Sequence, residues 1–268
     1  MTATSEKNVI SSNTLMSNKP SVVKISQNGE KGICFTNGNG KVYADANNVL
    51  STQNCVAIGN QNIQIGLIEH FMAALAICHI DSLQVEVNEN EMPILDGSSK
   101  EWIEFFERND LKKAEDKTYV LKEPVYFTKD KTTIVVLPDE TFSVTYCIDF
   151  KNKDLENRWV KFDGSNLNEI SEARTFGYLK DLEKFQAMGF ALGVSEKNTV
   201  GLTEDGYTTE LRSQFEPAKH KILDLLGDFY LSGFNPLQLK ARVIAHNAGH
   251  STHVEVAKIL KNIITEEK

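Results

Sequence analysis

The stretch Leu67–Asn88, "LIEHFMAALAICHIDSLQVEVN", carries the pattern that decides the fold. Ile68, Phe71, Met72 and Leu75 recur at i, i+3, i+4 and i+7, one apolar face of a helix. The following "SLQVEVN" alternates apolar and polar residues, the period of a strand with one side buried. The same order returns in the second half of the chain. There "AKHKILDLLGDFYLSG" runs on from Pro217, a residue suited to a first helical turn, and stops at Gly233. The alternating "LQLKARVIA" comes next.

Each unit is preceded by β-like runs: "SVVKIS", "KGICFTN", "KVYADA" and "NCVAIG" before the first, "TYVLKEPVYFT", "KTTIVVLPD" and "FSVTYCIDF" before the second. "NGNG", Asn37 to Gly40, reads as a hairpin turn rather than a phosphate loop, because no helix pattern follows it. Asp96-Gly97 makes another turn, after which Ser98 or Ser99 can cap a helix carrying Trp102, Phe105 and Phe106. A further helix with Leu179, Leu182 and Phe185 follows "EARTFGYLKD". The expected fold is therefore α+β, with two similar domains, each a β-sheet layered with helices. The charged "ERNDLKKAEDK" (Glu107 to Lys117) is the candidate linker. The expected division is a flexible amino-terminal segment over 1–18, a first domain over 19–116 and a second over 117–268.

The composition narrows the function classes. A net charge of −8 argues against nucleic acid or an anionic membrane as partner, since either selects a basic surface. No stretch approaches the roughly 18 apolar residues of a membrane span, and none has secretory character. Cys34, Cys55, Cys78 and Cys147 are scattered without a C-x-x-C pair, which suits free thiols in a reducing compartment. A cytoplasmic, monomeric protein is expected.

Three polar patterns sit on this frame. Glu69 and His70 are adjacent at the start of the first helix. A capped helix end with a satisfied histidine accounts for the pair. So does a metal site in which His70 is a ligand and Glu69 takes a proton from water, as in H-E-x-x-H hydrolases. His220, Asp224 and Asp228 fall at i, i+4 and i+8, on one line of the second helix. They form either a solvated face or ligands offered from consecutive turns. Hydrolytic zinc sites need three protein ligands and an open position, and His70, His220 and Asp224 make such a set if the halves pack together. "AHNAGHSTHVE" adds His246, His250 and His253. Its "NAG" reads as a strand-to-loop exit that breaks a common helical register, so one catalytic histidine is expected here rather than a self-contained trio.

Five segments, "IEHFMAAL", "MPILDGSS", "EARTFGYLKD", "HKILDLLGD" and "AGH", resemble in order and spacing the zinc-dependent UDP-3-O-acyl-N-acetylglucosamine deacetylases of bacterial lipid A synthesis. Weaker likeness runs over nearly the whole chain. The resemblance implies a site at the domain junction, with Zn2+ on His70, His220 and Asp224 and Glu69 as general base. It also implies Thr175 beside the developing oxyanion and His250, paired with Asp228, as acid to the leaving amine. Lys221 is implied as a substrate contact. Phe176, Leu179, Leu182 and Val194 are implied in a passage for the acyl chain, although ordinary core is the plain reading of these apolar residues. The substrate implied is an acylated UDP-sugar.

The chain departs from the family pattern in places. A glycine-rich "GxGLH-S/T-G" loop is replaced by "SNTLMSN", with Met16 in the histidine position. Val194 stands where a glycine is usual, and "FEPAKHK" replaces "EFVRHK". Three functions are carried forward: the family deacetylase, a paralogue acting on another N-acyl sugar or nucleotide sugar, and a non-catalytic relative.

Overall fold

The computed structural model describes residues 7–267. In its first half β1 (Val9–Asn13) and β2 (Pro20–Ser26) pair antiparallel, and β3 (Gly32–Thr36) and β4 (Lys41–Tyr43) form the hairpin around Asn37–Gly40. Then come the short strands β5 (Val49–Ser51), β6 (Ala57–Gly59) and β7 (Gln64–Gly66), which pair with one another as a separate three-stranded sheet. The helix α1 (Glu69–Ile77) leads into β8 (Ser82–Val87), and α2 (Lys100–Arg108) closes the half. β8 inserts in the middle of the sheet, antiparallel to β2 and parallel to β3, giving the order β1-β2-β8-β3-β4. The alternation in β2 turns Ser21, Val23 and Ile25 inward and leaves their neighbours exposed.

After a stretch without regular structure over 111–118, the second half opens with β9 (Tyr119–Leu121). It continues through β10 (Val125–Lys129), β11 (Thr132–Pro138), β12 (Ser143–Ile148) and β13 (Arg158–Phe162). Next come α3 (Leu167–Ser171), β14 (Thr175–Tyr178), α4 (Leu179–Ala187) and β15 (Thr199–Leu202), with β14 and β15 forming a parallel pair. The long helix α5 (Glu216–Tyr230) precedes the central strand β16 (Leu239–His246). The last elements are α6 (His250–Ile263) and β17 (Ile264–Glu266), which pairs with β9. The main sheet runs β10-β11-β16-β12-β13, with β16 antiparallel to β11 and parallel to β12. Strand order and direction repeat those of the first sheet. The α+β reading of two similar units holds, and the resemblance between them, faint in sequence, is complete in topology.

Two details differ from expectation, and a third decides between two alternatives. The strand Val9–Asn13 lies within the segment expected to be flexible, but it is the edge of the first sheet, and residues 1–6 lie outside the described part. The pattern of α1 predicts one buried face, but every residue from Glu69 to Ala76 is buried, because α5 and α2 cover what the sheet does not. Of the two candidate serines, Ser99 holds the N-cap position of α2 but turns its hydroxyl to the His70 carbonyl at 2.6 Å, and Ser98 Oγ accepts from Lys100 N at 3.1 Å.

The halves meet where α1 packs on α5. Gly227 allows this approach: a Cβ there would stand 2.0 Å from the Glu69 carbonyl oxygen. One continuous apolar core runs through both halves. In its first half Phe71 packs edge-on against Phe35, Trp102 and Phe106. No helix among the described residues is long and apolar enough to cross a membrane.

Candidate active site

The three helices that carry the polar patterns are each entered through a left-handed residue that is not glycine. These are Leu67 (φ 61°) before α1, Phe215 (φ 57°) before α5 and Asn247 (φ 49°) before α6. Such backbone costs about 1–3 kcal/mol per residue and persists only where surrounding contacts impose it. Here it turns three helix starts toward one place. Glu69, the first residue of α1, is buried, and its Oε2 accepts at 3.0 Å from the N–H of Val56, the residue that leads into β6, so the entry to the three-stranded sheet props the carboxylate.

His70, His220 and Asp224 present one donor atom each, all within 4.8 Å of one another. The Nε2 atoms of His70 and His220 lie 3.7 and 3.3 Å from Asp224 Oδ1. That oxygen is buried and has no hydrogen-bond partner among the described residues, whereas Oδ2 accepts from Lys221 Nζ at 2.6 Å. His220 Nδ1 faces the Ala173 carbonyl at 2.9 Å, so it carries the hydrogen and leaves the Nε2 lone pair turned inward. Burial pushes the His220 pKa down to about 4, which keeps the imidazole neutral, as a ligand must be. Burial works against charge on Asp224 too, but the imidazoles and the Lys221 ammonium outweigh it and hold the carboxyl well below the usual range. Two imidazoles and a carboxylate with an orphaned oxygen fit a zinc ion, and the His220–Ala173 contact is the outer hydrogen bond such ligands normally make.

Beside this set stands a second one. His250 Nδ1 donates to Asp228 Oδ2 at 2.8 Å, and His250 Nε2 points back, 3.9 Å from Glu69 Oε1 and 3.8 Å from Asp224 Oδ2. Burial disfavours the His250 cation, and so does its place at the first turn of α6, the positive end of the helix dipole. The carboxylates of Asp228, Asp224 and Glu69 prevail and raise its pKa to about 9. Glu69 is shifted upward, by burial first, with His250 and His70 opposing.

A cavity of about 640 Å³ opens onto these groups, walled by both halves. Glu69, His70, His220, Lys221, Asp224 and His250 form its floor, with Thr175 at the start of β14 beside them. Thr175 is fixed by its N–H, which donates to the Gly97 carbonyl at 2.8 Å. Phe176, Leu179, Leu182 and Val194 make an apolar wall, extended by Phe185, read from the sequence only as a helix position, and by Phe190, which the sequence reading did not name. Leu179 and Phe190 remain 45% and 54% exposed, so this part of the wall is open to solvent, whereas Phe176 and Val194 pack against the core. Asp228 lies behind His250, fully buried. Leu15 and Met16 close the far side, where the Gly193 and Leu192 N–H groups donate to their carbonyls at 2.9 and 3.1 Å. His246 ends β16 and stacks against Trp159, so His246, His250 and His253 do not converge.

Thus every residue expected at the site is in or directly behind this cavity. The sequence of the chain points the same way. Residues 3–262 match the profile of the UDP-3-O-acyl N-acetylglycosamine deacetylase family. A UDP-3-O-acyl-N-acetylglucosamine deacetylase of Syntrophotalea carbinolica is 34% identical over 245 residues, covering 87% of this chain and 78% of that protein. A protein of the same name from Geotalea uraniireducens is 36% identical over 228 residues, 82% and 73% of the two chains. One from Thermosynechococcus vestitus is 32% identical over 216 residues, 79% and 75%. With a match over nearly its full length and relatives of this identity, the chain belongs to the UDP-3-O-acyl N-acetylglycosamine deacetylase family.

Proposed function

We propose that the protein hydrolyses the N-acetyl group of UDP-3-O-acyl-N-acetylglucosamine, releasing acetate and the free amine, as a zinc-dependent step of lipid A synthesis. The observation that carries this reading is the convergence of His70, His220 and Asp224 on one point, with Glu69 and His250 beside it. Zinc, held by those three residues, supplies a Lewis acid and brings the pKa of water toward ~7.

The chain's own residues do the rest. Glu69, fixed through Oε2, offers Oε1 to take the proton of the attacking water. The Thr175 hydroxyl donates to the carbonyl oxygen as it gains charge, and Lys221 adds a cation at the floor of the cavity. His250 delivers its Nε2 proton to the nitrogen as the C–N bond breaks, because an amine leaves poorly unless protonated. Asp228 keeps that imidazole charged and oriented. The apolar wall of Phe176, Leu179, Leu182 and Val194 receives the acyl chain. The reaction then sits at the junction of a domain over 19–116 and one over 117–268, in a cytoplasmic monomer. The four unpaired cysteines are consistent with a reducing compartment.

A second reading rests on Met16 and Val194, both of which line the cavity and both of which replace the usual family residue. It keeps the chemistry and changes the N-acyl sugar. The test is acetate release from UDP-3-O-acyl-N-acetylglucosamine by the zinc-loaded protein, with Glu69→Ala in parallel. Turnover lost in the variant supports the first reading. A folded, zinc-containing protein that leaves this substrate intact and deacetylates another N-acyl sugar supports the second.

A further inference from the structure

Behind His250 the structure holds two buried polar side chains that the reaction does not use, Tyr146 on β12 and His253 on α6. They extend the His250–Asp228 contact into a chain. The Tyr146 hydroxyl lies 2.9 Å from His253 Nε2, and His253 Nδ1 lies 2.8 Å from Asp228 Oδ2, the oxygen that also accepts from His250 Nδ1.

The hydrogen positions follow from what each group can do. Burial works against charge on Asp228, but the two imidazoles outweigh it and keep the carboxyl below its usual range. As a carboxylate it only accepts, so both histidines carry hydrogen on Nδ1. Burial disfavours the His253 cation, leaving a neutral ring whose Nε2 must accept. The Tyr146 phenol, whose ionisation burial pushes well upward, is the donor.

The carboxylate of Asp228 is thus fixed from one side only. Its Oδ1 is buried and has no hydrogen-bond partner among the described residues, and Oδ2 carries both imidazole N–H groups. One of these belongs to the group that must be aimed, so the anchor is the other. From this we infer that His253, locked by Tyr146, is a positioning residue that sets the rotation of Asp228 and through it the direction of His250 Nε2. The anchor is rigid because β12 is an inner strand of the main sheet, bonded to β16 on one side and β13 on the other. Removing the His253 N–H leaves the carboxylate free to rotate about a single remaining bond.

The inference rests on the deacetylase reading for its kinetic consequence but not for its structural one. His253→Leu deletes the donor, and His253→Asn keeps an N–H at nearly the same place. Expected for the Leu variant is a kcat lower by roughly 10- to 100-fold, as for other outer partners of a catalytic group, with KM within about twofold. The Asn variant recovers most of kcat, and Tyr146→Phe falls between. Nuclear magnetic resonance of ring-labelled histidine supplies the second readout. The His250 Nδ1–H signal, single in the parent, should broaden or double in His253→Leu and sharpen again in His253→Asn. Equal losses in the Leu and Asn variants, or a KM that moves as much as kcat, would overturn the inference. So would an unchanged His250 signal in His253→Leu. If the parent itself releases no acetate, the deacetylase reading fails while the resonance experiment still decides this one.

Discussion

The two halves of the molecule share one topology and use it differently. β1-β2-β8-β3-β4 and β10-β11-β16-β12-β13 have the same order and the same directions, and each central strand lies between two helices in the chain. Yet α1 has 9 residues and gives the site only its first two, whereas α5 has 15 and gives His220, Lys221, Asp224 and Asp228. The first residue of α6 is His250, a half-buried imidazole at the cavity floor, and its counterpart in α2 is Lys100, paired at the surface with Glu172 at 3.1 Å. The insertions diverge most. Between β4 and α1 the chain builds a small sheet whose entry holds Glu69, and between β13 and α5 it builds the apolar wall. A duplicated frame supplies stability twice, while the chemistry comes from helix starts and from the insertions.

If the site needs both halves, cutting either should disable it. His70→Ala and His220→Ala are expected to lose activity about equally, by 10³-fold or more, together with zinc measured by elemental analysis. Loss in only one would break the comparison. Glu69→Gln should cost about 10²- to 10⁴-fold in kcat, the range for a general base, with zinc retained. Asp228→Asn sharpens the contribution of the second half through pH. If His250 acts as the proposed acid, its pKa of about 9 makes kcat fall as pH rises through that value. Removing the Asp228 charge should move that limb to lower pH. The linked stability has the same sign: it is full below the ordinary 6.5 and lost as pH climbs through about 9. The smallest effect belongs to the wall. Leu182→Ala should raise KM several-fold for long acyl chains and leave kcat unchanged, because it removes ~0.8 kcal/mol per buried methylene.

Much of this was legible in the sequence where local pattern and chemistry coincide. The period of Ile68, Phe71, Met72 and Leu75 gave α1, and the spacing of His220 and Asp224 gave two neighbouring donors on α5. The full burial of both helices was not legible, because Glu69, His70, Asp224 and Asp228 are polar and a hydrophobic pattern places such residues outside. Glu69 is met by Val56 N and Asp228 by His250 and His253, partners distant in the chain, whereas Asp224 is met by Lys221 of its own helix. For the same reason "VISSN" did not read as the strand Val9–Asn13. Its place is set by pairing with β2, and alternation cannot name a partner. Tyr146 escaped notice because only the packing of β12 against α6 brings it to His253, 107 positions away.

The absent side chain of Gly227 has a consequence for how this protein can change over time. Where α1 and α5 cross, backbone lies against backbone, so no side chain sets the separation of Glu69 from Asp224 and Asp228. Leucines and valines elsewhere in the shared core can therefore be exchanged without entering this one contact. That freedom hangs on one position. Gly227→Ala, with its Cβ forced to 2.0 Å from the Glu69 carbonyl oxygen, would push α5 away from α1 and so shift His220 and Asp224 relative to Glu69 and His70.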